Sequence, residues 1–489
     1  MIFEMGKGKN QPLVTPRYLA VKVALVFLVC LSRAAVFPAS IWEQDEAYFA
    51  AAVVDINLTD SAPHPPFFPL WIGIGRALHL LGLEPAASLQ VAGAALGSLV
   101  LLPMVALWSR FLSPGLALAA SCLGLFAPGV WLLSGRAFTG TAATALVVAA
   151  LACWARPDPS RAWVAAGSVA AGLAVLVRPH FGLVVAAAMV SLLAGPVRRW
   201  WLALVSPAIA VTAVGAALFA AAAGGPGAIR EALTRHAALH FGALPTASSG
   251  LFDSGLVPAL GHPVVAVGWC ILTFWGAWLA LRPKEERHVR LPVAAALAAA
   301  SFLVFGLSNP AHPRYAVPLI LLSCGFVVVG LRRLIGDRGA LLTAAVAVVA
   351  GAAVVLPAAA TYRSRPSPPL RAFDAAEAAA ERRSGVMVVD RNLHAFVVYR
   401  EAIGRSASPV VFDHVLELGA SPPPASRAVM VFDEGNDQFL REGGNRQTFS
   451  CDRGVLRRMA QDRFLDVTVV DGAVIENRSG ATGPFVILD

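Results

Sequence analysis

Two adjacent carboxylates stand in the stretch Trp42-Glu43-Gln44-Asp45-Glu46-Ala47-Tyr48-Phe49, with apolar sequence close on either side. After a short helical stretch comes Pro63-His64-Pro65-Pro66-Phe67-Phe68-Pro69-Leu70-Trp71. A carboxylate beside a membrane surface is costly unless it is paired or faces a polar space, so the pair invites a functional reading. The chemistry available to it is general-base catalysis: removing the proton of a hydroxyl as that hydroxyl attacks accelerates a reaction roughly 10² to 10⁴-fold. Neighbouring side chains on a helix point about 100° apart, so one acid can face a substrate while the other anchors to the scaffold. The base is assigned to Asp45, with Glu46 as its support or as the alternative base. Asp55, Asp60 and Glu84 in the same region read as solvated loop acids.

Cations for an anionic partner come from three isolated arginines at the ends of apolar runs: Arg136 in Ser134-Gly135-Arg136, Arg178 in Val177-Arg178-Pro179-His180, and Arg314 in His312-Pro313-Arg314-Tyr315. Each can clamp a phosphate through charge-assisted hydrogen bonds, or else snorkel to headgroups or pair with a loop acid. Arg314 leads because His312 and Tyr315 add donors beside it; Arg178 is second and Arg136 third. His180 and His312 taken singly read as structural or interfacial. His64 precedes a proline, which pushes it out of the helical region, and Pro69 can open the next helix. Residues 69–82 then read as an amphipathic helix lying along the membrane interface, with Leu70, Trp71, Ile74 and Leu78 apolar and Arg76 and His79 polar.

The elements that must hold these residues are membrane spans. Of 489 residues, 57% are apolar or aromatic and 14% are charged, against roughly 25% charged in a soluble domain. About eleven runs are long enough to cross a hydrocarbon core, which takes about 20 helical residues: 19–38, 86–108, 115–134, 137–155, 162–178, 180–196, 200–222, 261–281, 291–307, 315–331 and 340–357. The first lacks a small-residue cleavage pattern and is expected to be a span and not a cleaved signal. Before residue 358 there are 23 basic and 13 acidic residues, and after it 16 and 17. The basic excess therefore belongs to the membrane part, where cytoplasmic loops carry Lys and Arg, and no nucleic-acid partner is expected. With the N-terminus cytoplasmic, the clustered basic residues fall on one side. The other side receives 39–85, 223–260 and everything after 357.

Residues 1–357 thus read as a transmembrane catalytic domain with its site in the first outer loop, 39–85. Residues 358–489 read as a small soluble α/β domain on the outer face, tethered through Pro366 to Pro369. Its strands are expected at 386–389, 410–412, 428–432 and 467–470 and its helices at 371–383 and 453–462. It holds one cysteine, Cys451, and the other five lie in expected spans as packing residues. His236 and His240, at i and i+4 beside Arg230, Glu231 and Arg235, lack a third ligand and read as a polar interfacial helix; Asp433 to Asp437 reads as a turn after a strand. No metal is assigned and no cofactor is required. The sequons at Asn57 and Asn477 matter only in a eukaryotic secretory pathway. Alanine- and arginine-rich, lysine-poor composition points to a high-GC bacterium and its inner membrane.

An Asp-Glu pair followed by an aromatic in the first outer loop, a His-Pro-Pro-aromatic segment about twenty residues later, and many spans ending in an outer domain resemble the GT-C glycosyltransferases. Within them the match is to the protein O-mannosyltransferase and lipid A aminoarabinose transferase group. Where bacterial lipid-modifying relatives often carry Lys-Pro-Pro, this chain has His64. The resemblance implies an inverting transfer of a sugar from a polyprenyl-phosphate carrier to a hydroxyl of a lipid, glycan or protein on the outer face, without a nucleotide. Asp45 and Glu46 would then be catalytic, and Arg314, Arg178, Arg136, His64 and Tyr315 would meet the donor phosphate. The competing class is a transporter or lipid-linked-sugar flippase, which should show ionisable residues deep in its spans or paired half-repeats. The acids of this chain gather instead at one face.

Overall fold

The computed structural model describes residues 16–156, 158–193, 195–240, 255–282, 287–302 and 313–364, and beyond these parts of 366–378, 386–390, 393–405 and the strands named below. The helices are α1 (Pro16–Ala34), α2 (Gln44–Val54), α3 (Pro69–Leu80), α4 (Pro85–Leu99), α5 (Leu101–Trp108), α6 (Pro114–Leu125), α7 (Pro128–Ser134) and α8 (Thr139–Trp154). They continue with α9 (Arg161–Val177), α10 (Phe181–Leu192), α11 (Trp201–Ala222), α12 (Pro226–His240), α13 (Val257–Leu260), α14 (Pro263–Leu281), α15 (Arg287–Phe302), α16 (Val317–Ser364) and α17 (His394–Ala402). Prolines set many of the starts: Pro69, Pro85, Pro114, Pro128 and Pro263 each occupy the first turn, where the missing N–H costs nothing.

Every one of the eleven expected segments carries helix, but not as eleven long straight spans. Among the described residues, four helical stretches are long and apolar enough to cross a membrane: Pro85–Trp108, Val197–Ala222, Pro263–Leu281 and Val317–Arg371. The segment expected at 115–134 is a pair, α6 and α7, bent by 70°. Phe126 ends the first helix and Pro128 begins the second, so the backbone cannot run straight through. Arg33, fully buried near the end of α1, donates from Nη2 to the Leu125 carbonyl at 2.5 Å and stacks over Phe126, so a cation meets the C-terminal end of α6. The segments expected at 315–331 and 340–357 lie in one long helix interrupted at Gly336, whose φ of 74° suits glycine alone. That helix runs on to Ser364, past the boundary expected at 357.

The helices pack as membrane helices do, through small residues. A Cβ on Gly276 of α14 would collide with the Phe326 carbonyl of α16, and one on Gly325 would enter the ring of Trp108. Within the bundle Trp269 Nε1 of α14 donates to Ser323 Oγ of α16 at 2.7 Å, a polar tie between two spans.

Beyond residue 364 the expected strands are present as β1 (Val386–Asp390), β2 (Val410–Phe412), β3 (Ala428–Asp433) and, after β4 (Leu440–Glu442) and β5 (Asn445–Gln447), β6 (Val467–Val470). With β7 (Phe485–Leu488) they form a five-stranded sheet in the order β2-β1-β3-β7-β6. β1 pairs in parallel with both β2 and β3, while β7 runs antiparallel to β3 and β6. The expected helix at 453–462 lies outside the described residues, as do His312 and the run from Glu434 to Asp437. α17 was not foreseen. It buries Ala395, Phe396 and Val397 in the apolar core that also contains Ala47, Phe49 and Ala50 of α2, so this part of the C-terminal segment is packed into the membrane part and does not merely hang from a tether. The link between them is stitched as well, by Ala39 N–H to the Tyr362 carbonyl at 2.9 Å and Ser367 N–H to Ser40 Oγ at 2.8 Å.

Candidate active site

The two acids of α2 sit in its first turn, at the positive end of the helix dipole, and the geometry separates them. Glu46 is 1% exposed. Its carboxylate accepts from the backbone N–H groups of Trp42, Glu43 and Ala137 at 3.1, 3.2 and 3.0 Å and from Arg136 Nε and Nη2 at 3.1 and 2.6 Å. It forms a reciprocal capping box with Glu43. Arg136 is likewise 1% exposed and lies over the rings of Phe138 and Tyr362. Glu46 therefore welds α2 to the connection between α7 and α8, and with five donors around it has no lone pair to spare for catalysis. Arg136, expected as a phosphate ligand, is committed to that weld instead.

Asp45 has different surroundings. One oxygen is ion-paired with Arg314 Nη1, and the other lies 3.9 Å from His64 Nε2. The side chains of Asp45, Arg314 and His64 are 26%, 14% and 18% exposed, so a ligand can reach all three. Arg314 Nη2 donates to Tyr315 Oη at 3.3 Å, and Arg178 lies over the same tyrosine ring at 5.3 Å. A Cβ on Gly140 would stand 3.2 Å from Arg178 Nη1, so the glycine in α8 makes room for that guanidinium. Burial disfavours the charged form of Arg314, but Asp45, Tyr315 and Glu43 outweigh it and its pKa is raised. Burial lowers the pKa of His64; Asp45 opposes this, and Arg314 and Arg178 reinforce it, so the imidazole is neutral at pH 7. Its Nδ1 is buried with no hydrogen-bond partner among the described residues.

His64 is fixed by an aromatic cage and by the loop that carries it. It stacks on Phe49 at 5.3 Å, meets Phe68 edge-on at 5.3 Å and lies 5.9 Å from Tyr48. Phe67 and Phe68 follow with φ of 82° and 52°, values that bulky residues rarely adopt and that cost of order 1–3 kcal/mol each. Both rings are buried, Phe67 stacked on Phe219 of α11 and Phe68 edge-on to Phe49, which offsets that cost. Phe68 precedes α3, and Arg76 of α3 reaches back to donate from Nε to the Ala52 carbonyl at 3.2 Å, holding the far end of α2.

Neither a protein-family model nor a curated protein matches this sequence. Solved structures do match in shape. The chain is similar to ArnT from Cupriavidus metallidurans bound to undecaprenyl phosphate, with a TM-score of 0.56 and 17% identity over 97% of this chain and 98% of that one. It is also similar to the Archaeoglobus fulgidus oligosaccharyltransferase in its apo form, with a TM-score of 0.51 and 14% identity over 85% of this chain and 70% of that one. AglB of the same archaeon, in complex with an inhibitory peptide and a dolichol-phosphate, matches with a TM-score of 0.50 and 12% identity over 87% and 70%. The chain has the GT-C fold. It is a polytopic, mostly helical membrane protein.

On this GT-C fold the sequence-selected residues fall into two groups. Asp45, His64, Arg178, Arg314 and Tyr315 converge, although up to 270 positions separate them in the chain. Glu46 and Arg136 lie next to them, with Arg136 and Arg314 both placed over the ring of Phe138. His180 is exposed at the start of α10. Of the loop acids, Asp60 accepts from Asn57 Nδ2 at 2.6 Å, and Glu84 caps α4 and accepts from Tyr399 Oη at 2.6 Å, so Glu84 is not simply solvated. In α12, Arg235 holds the Thr59 carbonyl at 2.9 Å. Among the described residues no group of three or more His, Cys, Asp or Glu converges as for a metal ion. Sequence reasoning missed Tyr48, although it stands one helical turn after Asp45 in the same motif. It also missed His394, whose Nδ1 lies 3.1 Å from Tyr48 Oη across 346 positions, a separation no local pattern reveals.

Proposed function

We propose that this protein is an integral-membrane inverting glycosyltransferase that moves a sugar from a polyprenyl-phosphate carrier to a hydroxyl acceptor on the outer, extracytoplasmic face of a bacterial inner membrane. The observation that carries the reading is the convergence of one accessible carboxylate, Asp45, with two guanidiniums and a phenol. Asp45 takes the acceptor proton while the acceptor oxygen attacks the anomeric carbon; the bond from that carbon to the phosphate oxygen breaks, and polyprenyl phosphate leaves. Arg314, Arg178 and Tyr315 stabilise the negative charge that grows on the departing phosphate. Arg314 is ion-paired with Asp45. A donor phosphate that accepts from Arg314 draws it away and leaves the carboxylate to the acceptor, so donor binding arms the base. Neutral His64 borders the carboxylate without neutralising it. Support for the carrier lipid comes from the fold and from the undecaprenyl phosphate and dolichol-phosphate bound by the two GT-C structures.

The test is transfer by the purified protein from a panel of radiolabelled polyprenyl-phosphate sugars into a detergent extract of the host envelope. Labelled product from one donor and none from the corresponding nucleotide sugar is the expected result. Absence of both turnover and binding across the panel contradicts the reading.

A further inference from the structure

The carboxylate of Asp45 has two flanks. On one stand Arg314, Arg178 and Tyr315, all cationic or phenolic and suited to a phosphate. On the other, Tyr48 lies one turn along α2, and its phenol hydrogen-bonds His394 at the start of α17. The rings of Tyr48 and His394 are 6.1 Å apart and tilted, and the Tyr48 ring is 5.9 Å from His64. A continuous row of rings, His394, Tyr48, His64, thus leads from the C-terminal segment to within 3.9 Å of the carboxylate. It is half-buried and carries no formal charge on Tyr48 or His64, which suits a neutral hydroxylated group better than a phosphate.

α17 is placed firmly enough to define such a wall. Tyr399 donates to Glu84, the N-cap of α4, at 2.6 Å; Arg400 donates to Asp374 Oδ1 at 2.7 Å and to Glu377; and Ala395, Phe396 and Val397 are buried. The seam between α2 and α17 is therefore packed with apolar side chains and crossed by the Tyr48–His394 hydrogen bond, while the far end of α17 is held by Glu84, Asp374 and Glu377.

We propose that Tyr48, positioned by His394, forms the acceptor-side wall of the site, so that the segment after residue 364 shapes which hydroxyl reaches Asp45. This rests on the transferase reading above. Replacing the wall leaves the phosphate side intact and lets water compete with the acceptor. In water's case the same bonds form and break: the water oxygen joins the anomeric carbon, its proton goes to Asp45, and polyprenyl phosphate leaves with free sugar as the product.

The experiment measures, in the full-length protein in detergent, the ratio of sugar transferred into host envelope extract to free sugar released, using the polyprenyl-phosphate sugar that the wild type turns over. Loss of one positioning hydrogen bond is worth roughly 1 kcal/mol, so Tyr48→Phe and His394→Ala are each expected to lower this ratio about 5-fold, with His394→Gln restoring most of it. General damage to the fold lowers both products together and leaves the ratio unchanged. An unchanged ratio in both variants, beside an active wild type, overturns the wall while leaving the transferase reading standing. A wild type that neither transfers nor releases sugar overturns both.

Discussion

Asp45 and Glu46 are neighbours in the chain, carry the same charge and each pair with an arginine, yet they belong to different machines. Glu46 and Arg136 are 1% exposed and bidentate, with three backbone N–H groups filling the remaining acceptor sites. Asp45 and Arg314 are 26% and 14% exposed and face His64, Tyr315 and Arg178. Both guanidiniums lie over the ring of Phe138, 4.9 and 5.4 Å from its centre. The step of about 100° between successive helical residues is enough to place one acid in a buried weld and the other in a partly exposed ion pair. A fully enclosed, fully hydrogen-bonded ion pair fixes geometry, whereas a partly exposed one can exchange partners, which the proposed reaction requires.

The largest effect expected from breaking this contrast is on stability at the weld. Glu46→Gln leaves Arg136 buried without its countercharge, which costs about 3–5 kcal/mol, and thermal unfolding in detergent should show a large fall in melting temperature. Asp45→Asn in the same assay should change it far less. Next comes the clamp: Arg314→Ala removes charge-assisted hydrogen bonds worth roughly 1.5–3 kcal/mol, so binding of undecaprenyl phosphate should weaken about 10 to 100-fold. Arg314→Lys keeps the charge but not the planar fork and should fall between the two. Unaltered lipid affinity in Arg314→Ala would move the clamp elsewhere.

A smaller effect sharpens the same comparison through pH. Burial, reinforced by the two arginines, lowers the folded-state pKa of His64 below its ordinary 6.5. Between the lowered value and 6.5 the unfolded chain binds the proton that the folded site refuses, so stability falls as pH drops below 6.5 and is regained as pH rises. His64→Gln should flatten that part of the melting-temperature profile.

Much of this arrangement was legible in the sequence, for reasons that can be named. The Asp-Glu pair in apolar surroundings pointed to two acids in different environments, and isolated arginines at span ends marked Arg178 and Arg314, because each violates a composition rule at a cost. Pro69 announced the start of α3. What escaped was set by contacts between distant segments. Arg136 differs from Arg314 only in the acid it meets, and no spacing encodes that. The bend between α6 and α7 depends on Pro128, which reads within an apolar run as a tolerable interruption. α17 lacks a long apolar face, and its docking on α2 depends on the ring contact of His394 with Tyr48. Four strands of the five-stranded sheet are legible in the sequence, but β7 (Phe485–Leu488) and the strand order are not, since alternation fixes faces and not neighbours.

The central claim is that Asp45, and not Glu46, removes the acceptor proton. The decisive measurement is sugar transfer from polyprenyl phosphate by wild type and Asp45→Asn, each confirmed to be folded and to bind undecaprenyl phosphate. A loss of roughly 10² to 10⁴-fold in transfer, with lipid binding retained, is the predicted result. Transfer by Asp45→Asn at the wild-type rate would contradict it.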